Sequence, residues 1–249
     1  MDTWKYYSIT HKNHVLLNPM SKVKSEELLS MLNLKQENMV LDIGSGKGEF
    51  LVRLAELYNI SGIGVDISPY FVKDAIERKK LRIPDSNIRF LEMDGADYKP
   101  DKDELFDLAI CLGASFVYKG FSGTIDALKK MTKPGGLIII GEPYWVKEPS
   151  QEYLKISELR KEDFNTHIKN IETGEKAGLL CLYTIASNHD DWDHYETLQW
   201  WSAYDYIDAH PEDPNNNELR NNINNSKTGY LLYGRDSLGW AIYVFKYEI

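Results

Sequence analysis

The sequence predicts an α/β fold, a doubly wound, seven-stranded and mostly parallel sheet with a helical cap inserted between the last two strands. Three observations carry that expectation. Short apolar runs alternate with longer segments of helical period over the first 145 residues, the pattern of a parallel sheet wrapped by helices. A glycine-rich turn, Gly44-Ser45-Gly46-Lys47-Gly48, follows the first of those runs. Beyond Trp145 the rhythm changes to long polar and aromatic stretches before one final apolar run.

Residues 1–37 read as an N-terminal arm and a helix from Ser25. Met39 to Ile43 reads as a buried first strand, and Gly46 to Tyr58 as a helix with Phe50, Leu51, Leu54, Ala55 and Tyr58 on one face. Gly62 to Ile67 is the second strand. Ser68 then caps a helix with Pro69 at its first position, and Val72, Ala75 and Ile76 are expected to point inward. Ile88 to Met93, Phe106 to Leu112 and Leu137 to Gly141 supply strands three to five, the last introduced by the turn Pro134-Gly135-Gly136.

After Trp145, Glu162 to Ala177 reads as a helix and Leu179 to Ala186 as a strand. Residues 187–235 form the cap, with a helix from about Asp193, a break at Pro211 and Pro214, and a second helix over Asn217 to Asn225. Trp240 to Lys246 is the final strand. One domain over 1–249 is the simplest layout, with residues 38–145 as its core.

A chain of 249 residues with 43% hydrophobic and 12% aromatic side chains can bury a sizeable core, which excludes general disorder. Its net charge of -9 argues against a nucleic-acid partner bound through phosphates. That charge is localised. No Lys or Arg lies between Lys176 and Arg220, whereas nine acids do, equal in number to the whole net charge. Cys111 and Cys181 both sit in apolar runs, so a disulfide framework is not expected. No apolar export signal or membrane span is seen, and a cytoplasmic protein without a membrane partner is the expectation.

A glycine loop between a strand and a helix is where nucleotides sit, because it lets the ligand approach the backbone and its free N–H groups. A P-loop needs Gly at 41 and Ser or Thr at 48, but Leu41 and Gly48 stand there. The dinucleotide fingerprint needs Gly at 49, where Glu49 stands and would repel a pyrophosphate. Preceded by Val40-Leu41-Asp42, the loop instead resembles the first motif of the class I S-adenosylmethionine-dependent methyltransferases.

The resemblance continues in order through Gly62 to Ser68, Phe90 to Gly95, Phe106 to Cys111 and the turn at Pro134. It covers about residues 38–145 and implies a Rossmann-like methyltransferase fold, S-adenosylmethionine as cofactor and S-adenosylhomocysteine as product. On the matching positions it implies a cofactor site of Asp42, Gly44, Ser45, Gly46, Asp66, Ile67, Asp94, Gly95 and Cys111. Asp66 would take the ribose hydroxyls and Asp94 the adenine amino group. Gly141 to Trp145 and Asp191 to Glu196 further resemble a bacterial branch of small-molecule methyltransferases whose acceptor is unassigned.

Methyl transfer asks mainly for positioning of a nucleophile, so a catalytic base is optional. The acceptor is sought beyond the carboxyl ends of strands four and five. Glu142, at a strand tip, is the first candidate base or a group that binds a cationic acceptor, or else a capping carboxylate paired to an Arg. His14 in the arm is the second. Tyr144 and Trp145 are expected to wall the acceptor pocket, together with Tyr7 of the arm and Trp192, His194 and Tyr195 ahead of the cap helix. Packing under the cap is the competing role for these aromatics. Lys47 reads as a solvated residue of the first helical turn. His11, His14, His189 and His194 match no zinc spacing, and no metal is assigned.

The expected activity is therefore methyl transfer to a small-molecule acceptor, which the acidic cap would bias toward neutral or cationic compounds. An aminopropyltransferase shares the fold and would suit an acid-rich cap, but its Asp-Gly-Gly signature is not visible. A non-catalytic S-adenosylmethionine-binding module is the third alternative. The cap aromatics would equally serve a homodimer interface.

Overall fold

The computed structural model describes residues 1–101 and 104–248. An N-terminal arm carries α1 (Thr3–Thr10) and α2 (Lys22–Met31). The body then alternates β1 (Met39–Ile43), α3 (Glu49–Tyr58), β2 (Ser61–Asp66), α4 (Pro69–Arg82), β3 (Ile88–Glu92), β4 (Phe106–Leu112), α5 (Phe121–Met131) and β5 (Thr132–Trp145). It continues through α6 (Gln151–Ser157), α7 (His167–Lys176), β6 (Leu179–Ala186), α8 (His189–Ala209), α9 (Asn216–Gly229) and β7 (Leu238–Tyr247). The seven strands form one sheet in the order β3-β2-β1-β4-β5-β7-β6. Only β7 runs antiparallel to its neighbours, so the sheet is mostly parallel, and α8 and α9 form the cap between β6 and β7.

Strands buried on both faces explain the apolar runs. Val40, Leu41 and Ile43 of β1 and Leu108 to Ile110 of β4 are fully enclosed. α3 lays Phe50, Leu51, Leu54 and Ala55 on the sheet and leaves Leu57 outside. α4 starts as its sequence requires, with the Ser68 hydroxyl accepting from the Phe71 N–H and Pro69 opening the first turn. Its inner face is Phe71, Val72 and Ala75, whereas Ile76 is 49% exposed, contrary to expectation. Docking through Phe71 turns Ile76 roughly a quarter-turn off the buried face.

Three elements differ in extent from the sequence reading. β5 continues past Gly141 to Trp145 because β7 pairs with it along Leu137–Trp145. The helix expected from Glu162 begins only at His167, after a 3₁₀ turn at Lys161–Asp163. The intervening chain is drawn out beside the tip of β5, where the Trp145 N–H donates to the Asn165 carbonyl. The first cap helix starts at His189 rather than near Asp193. Asn188 and Asp191 form a reciprocal capping box, each side chain accepting from the other's backbone N–H at 2.9 Å. Residues 189–195 are thus helical instead of a preceding loop.

The cap holds the arm. Ile9 of α1 packs with Ala203, Ile207, Leu219 and Ile223 in a small core of its own. Four acids of the 177–219 stretch are paired with cations from outside it: Asp191 with Lys24 (2.5 Å), Asp193 with Arg235 (2.9 Å), Asp213 with Lys5 (2.9 Å) and Glu218 with the amino terminus (2.6 Å). The expected surplus over the cap is therefore reduced by folding itself. Among the described residues, no helix is long and apolar enough to cross a membrane.

Candidate functional site

The glycine loop leaves β1 with Gly44 and Gly46 at φ +68° and +53°, conformations that L side chains rarely adopt. A Cβ on Gly44 would lie 2.3 Å from the Ala114 Cβ, and one on Gly46 would lie 2.6 Å from Leu17. The loop is tied to the neighbouring strand tip, since Gly44 and Ser45 N–H groups donate to the Val65 carbonyl at 2.8 and 3.0 Å. The Asp66 carboxylate completes the frame. One oxygen accepts from the Gly46 N–H and the other from the Ser68 N–H, both at 2.8 Å.

These elements floor a cavity of about 620 Å³ at the carboxyl ends of the strands. Gly44, Gly46, Asp66, Ile67, Asp94 and Gly95, six of the residues expected at a cofactor site, are brought together in its lining. Asp94 turns one oxygen to the Ala96 N–H, and the Gly95 carbonyl accepts from the Tyr118 hydroxyl, which fixes the third strand tip. Burial pushes the Asp66 carboxyl above its ordinary value, against the pull of its two N–H donors. Asp42 lies 3% exposed beneath the loop, where burial and then the neighbouring Asp66 push it up to about 8. With Ser45, Asp42 borders a crevice of about 40 Å³ on the other side of the loop. Cys111 points into the core and does not line the cavity. The next residues, Leu112, Gly113 and Ala114, do.

The arm closes the cavity from above through Trp4, Tyr7, His11 and Leu17. Lys47 holds it there. Expected in solvent, Lys47 is 6% exposed, and its ammonium donates to the carbonyls of His11 (2.8 Å), Lys12 (3.0 Å) and His14 (3.3 Å). Those carbonyls follow the C-terminal end of α1, where a cation is favoured. His11 Nε2 meets the Tyr195 hydroxyl at 3.0 Å, which joins arm and cap over the same cavity. Burial lowers His11 to about 3 and His14 to about 4, so both rings are neutral near pH 7.

The other sequence-predicted residues are distributed more widely. His14 Nε2 faces the Tyr195 carbonyl at 2.9 Å, which requires that nitrogen to carry the proton, and the ring lines a separate cavity shared with His194. Glu142 is 2% exposed with no Arg beside it. Its Oε1 accepts from the Ser115 hydroxyl at 2.8 Å, its Oε2 is buried without a partner, and burial pushes the carboxyl up to about 7. It reaches the cavity only through Ser115, which precedes the lining residues Phe116 and Val117. Tyr144 meets the His167 ring in a tilted contact, centroids 4.9 Å apart, outside the cavity. Trp145 donates its indole N–H to the Lys161 carbonyl at 2.8 Å and packs against Tyr153 and Phe164, a structural position set by the extended 164–166 segment. Trp192 lines a second chamber, and Tyr7 belongs to both.

A crevice of this kind, at the switch between β1 and β4 with acids at the tips of β2 and β3, defines an enzyme of the doubly wound class that binds a nucleoside cofactor. The chain belongs to the methyltransferase domain family, whose model matches residues 34–207. It is 30% identical over 245 residues to the uncharacterized protein YjhP of Escherichia coli (strain K12), with 98% of each chain covered. A solved S-adenosylmethionine-dependent methyltransferase from Geobacter sulfurreducens, in complex with S-adenosylhomocysteine, superposes with a TM-score of 0.90 at 29% identity, over 97% of each chain. A second such complex, from Thiobacillus denitrificans, gives a TM-score of 0.90 at 32% identity, over 98% of this chain and 99% of that one.

The protein is accordingly an S-adenosylmethionine-dependent methyltransferase. Its cavity could take that cofactor, because the loop glycines pack bare backbone closely against Ala114 and Leu17 at its wall and two carboxylates, Asp66 and Asp94, line it.

Proposed function

We propose that the chain methylates a small-molecule acceptor that is neutral or cationic. The observation that carries this reading is the lining of the 620 Å³ cavity. Among the described residues it has carboxylates at Asp66 and Asp94, rings from the arm and Tyr195, and no Lys or Arg that could hold a phosphate. A chamber roofed by α1 and without Lys or Arg in its described lining also suits a small acceptor better than a nucleic-acid strand, which needs an open basic groove.

In this reading Asp66 accepts both ribose hydroxyls, Asp94 and the Gly95 backbone meet the adenine, and Leu112 to Ala114 border the methionine portion. Bound there, S-adenosylmethionine supplies an electrophilic methyl group on a sulfonium. The chain's own work is to orient and to exclude water. Positioning alone is worth effective molarities of about 10⁵–10⁸ M. Trp4, Tyr7 and His11 shut the cavity from above, and neutral His11 holds the Tyr195 hydroxyl in line with that roof. Glu142 acts as a positioning residue, fixing Ser115 and through it the segment carrying Phe116 and Val117. His14, with its Nε2 proton committed to a carbonyl, secures the arm to the cap.

Incubation with methyl-labelled S-adenosylmethionine and a metabolite extract tests the reading. Label should appear in a low-molecular-weight compound, with S-adenosylhomocysteine as co-product. Label found only in protein or nucleic acid would refute it. Glu142→Gln keeps an acceptor for the Ser115 hydroxyl and should retain cofactor affinity and kcat, whereas Glu142→Ala should lower both; lost turnover with cofactor binding retained in Glu142→Gln would make Glu142 a base instead.

A further inference from the structure

Beside the cofactor cavity lies a second chamber of about 500 Å³, and Tyr7 is a wall of both. It opens between α1, α6, α8, α9 and the turn that follows α9, and is faced by the rings of Tyr6, Tyr7, Tyr153, Trp192 and Tyr230. Among the described residues its only charged lining groups are Glu158 and Glu196. No Lys, Arg or His faces it. Arg235, from the turn before β7, is bound by Asp193 in a fork of 2.9 and 3.0 Å. Asp193 also takes the Tyr230 hydroxyl at 2.6 Å, which leaves the Tyr230 ring to the chamber.

Glu196 is the unusual member. It is half-buried on the inner side of α8, and its one hydrogen-bond partner is the Ser226 hydroxyl at 3.5 Å. Burial pushes its carboxyl up to about 7, the mark of a carboxylate short of a counter-ion. Trp192, stacked on Tyr230 with centroids 6.3 Å apart, has a buried indole N–H without a partner. A carboxylate without a cation, set among aromatic faces, is the complement of an organic ammonium. The rings attract the cation through their quadrupoles and exclude water, and the acid supplies the opposite charge.

We propose that this chamber seats an alkylammonium group of the methyl acceptor, with Glu196 as its counter-charge and Tyr6, Tyr7, Trp192 and Tyr230 as its cage. The assignment rests on the small-molecule methyl transfer proposed above and names the acceptor class. The shared Tyr7 makes the geometry economical, because an acceptor anchored by its cation on one side of this ring can reach the cofactor cavity on the other. Anionic acceptors are disfavoured by the same carboxylate.

The test uses protein saturated with S-adenosylhomocysteine, titrated calorimetrically with choline and with its uncharged isostere 3,3-dimethylbutan-1-ol. Choline should bind about tenfold or more tightly than the isostere. Glu196→Gln should weaken choline about tenfold and leave the isostere and S-adenosylhomocysteine unchanged. Trp192→Leu, still binding S-adenosylhomocysteine, should weaken choline comparably. Equal affinity for the two probes, no detectable choline binding, or indifference to Glu196→Gln overturns the proposal. In the extract assay the labelled product should be retained by a cation exchanger at neutral pH. Label in a neutral or anionic small molecule defeats the ammonium assignment alone, whereas label in macromolecules defeats the small-molecule reading beneath it.

Discussion

Replacing Lys47 by Met keeps the buried stem and removes the ammonium that clamps the arm. Two of its carbonyl contacts, at 2.8 and 3.0 Å, are short enough to count fully, and the third is 3.3 Å. At about 1.5–3 kcal/mol for a hydrogen bond to a charged group, the two contribute about 3–6 kcal/mol gross. Desolvation opposes them, and it lowers the Lys47 pKa despite Asp74 at 3.7 Å. A net loss of about 2 kcal/mol then shifts the arm's docking equilibrium about thirtyfold toward open. Lys12 is exposed in the turn after α1, so tryptic cleavage there reports the open population when closing outpaces cleavage. Lys47→Met should raise that rate about thirtyfold, and S-adenosylhomocysteine should suppress it. Cofactor affinity should fall by no more than about twofold, because apparent affinity scales with the docked fraction, which remains the majority when a small open population rises thirtyfold. A rise in cleavage below about threefold would show that the clamp on the arm lies elsewhere.

Asp66→Ala should weaken S-adenosylhomocysteine about tenfold to a hundredfold by calorimetry, since it removes the carboxylate proposed to take the ribose hydroxyls and releases the Gly46 and Ser68 N–H groups. An unchanged dissociation constant would remove Asp66 from the site. Gly44→Ala forces a methyl group to within 2.3 Å of the Ala114 Cβ at a φ of +68°. It should lower both Tm and cofactor affinity, and a variant with wild-type values of both would contradict the loop geometry. Glu142 has a folded pKa of about 7 against an ordinary 4.5. The stability it contributes is complete below pH 4.5 and is lost as pH rises through 7, about 3 kcal/mol in all. Glu142→Gln cannot titrate, so it should gain on the wild type between pH 4.5 and 8 in denaturant melts. Parallel pH profiles of the two proteins would mean that the carboxylate is solvated.

Asp66 and Asp94 were legible because a doubly wound sheet converts chain order into place, so an acid ending the second or third strand after the glycine loop must lie beside that loop. Lys47 was not. Its partners are backbone carbonyls 33 to 36 residues upstream, and a carbonyl has no residue type to betray it. For Trp145 two roles stood open, pocket wall or packing, and the choice between them depends on the Lys161 carbonyl and on an extended segment where helical period was expected. The start of α8, by contrast, was legible in principle. Asn188 and Asp191 have the spacing of a capping box, in which the acid at the third helical position serves the backbone.

That acidic content is where structure alters the functional argument most. Nine acids suggested a field spread over the acceptor, yet Asp191, Asp193, Asp213 and Glu218 are used to hold Lys24, Arg235, Lys5 and the amino terminus. Three of those four cations belong to the arm, so much of the cap's charge serves to bind the lid. Selection of the acceptor then falls from a diffuse field to Glu196, half-buried among rings. The two cases respond differently to salt. A field from exposed carboxylates is largely screened once the Debye length shrinks from about 10 Å at 0.1 M to about 3 Å at 1 M, whereas a partly buried pair is screened much less. Choline affinity should therefore change by less than about threefold over that range, and a larger loss would return acceptor selection to the surface acids Asp190, Asp205, Asp208 and Glu212.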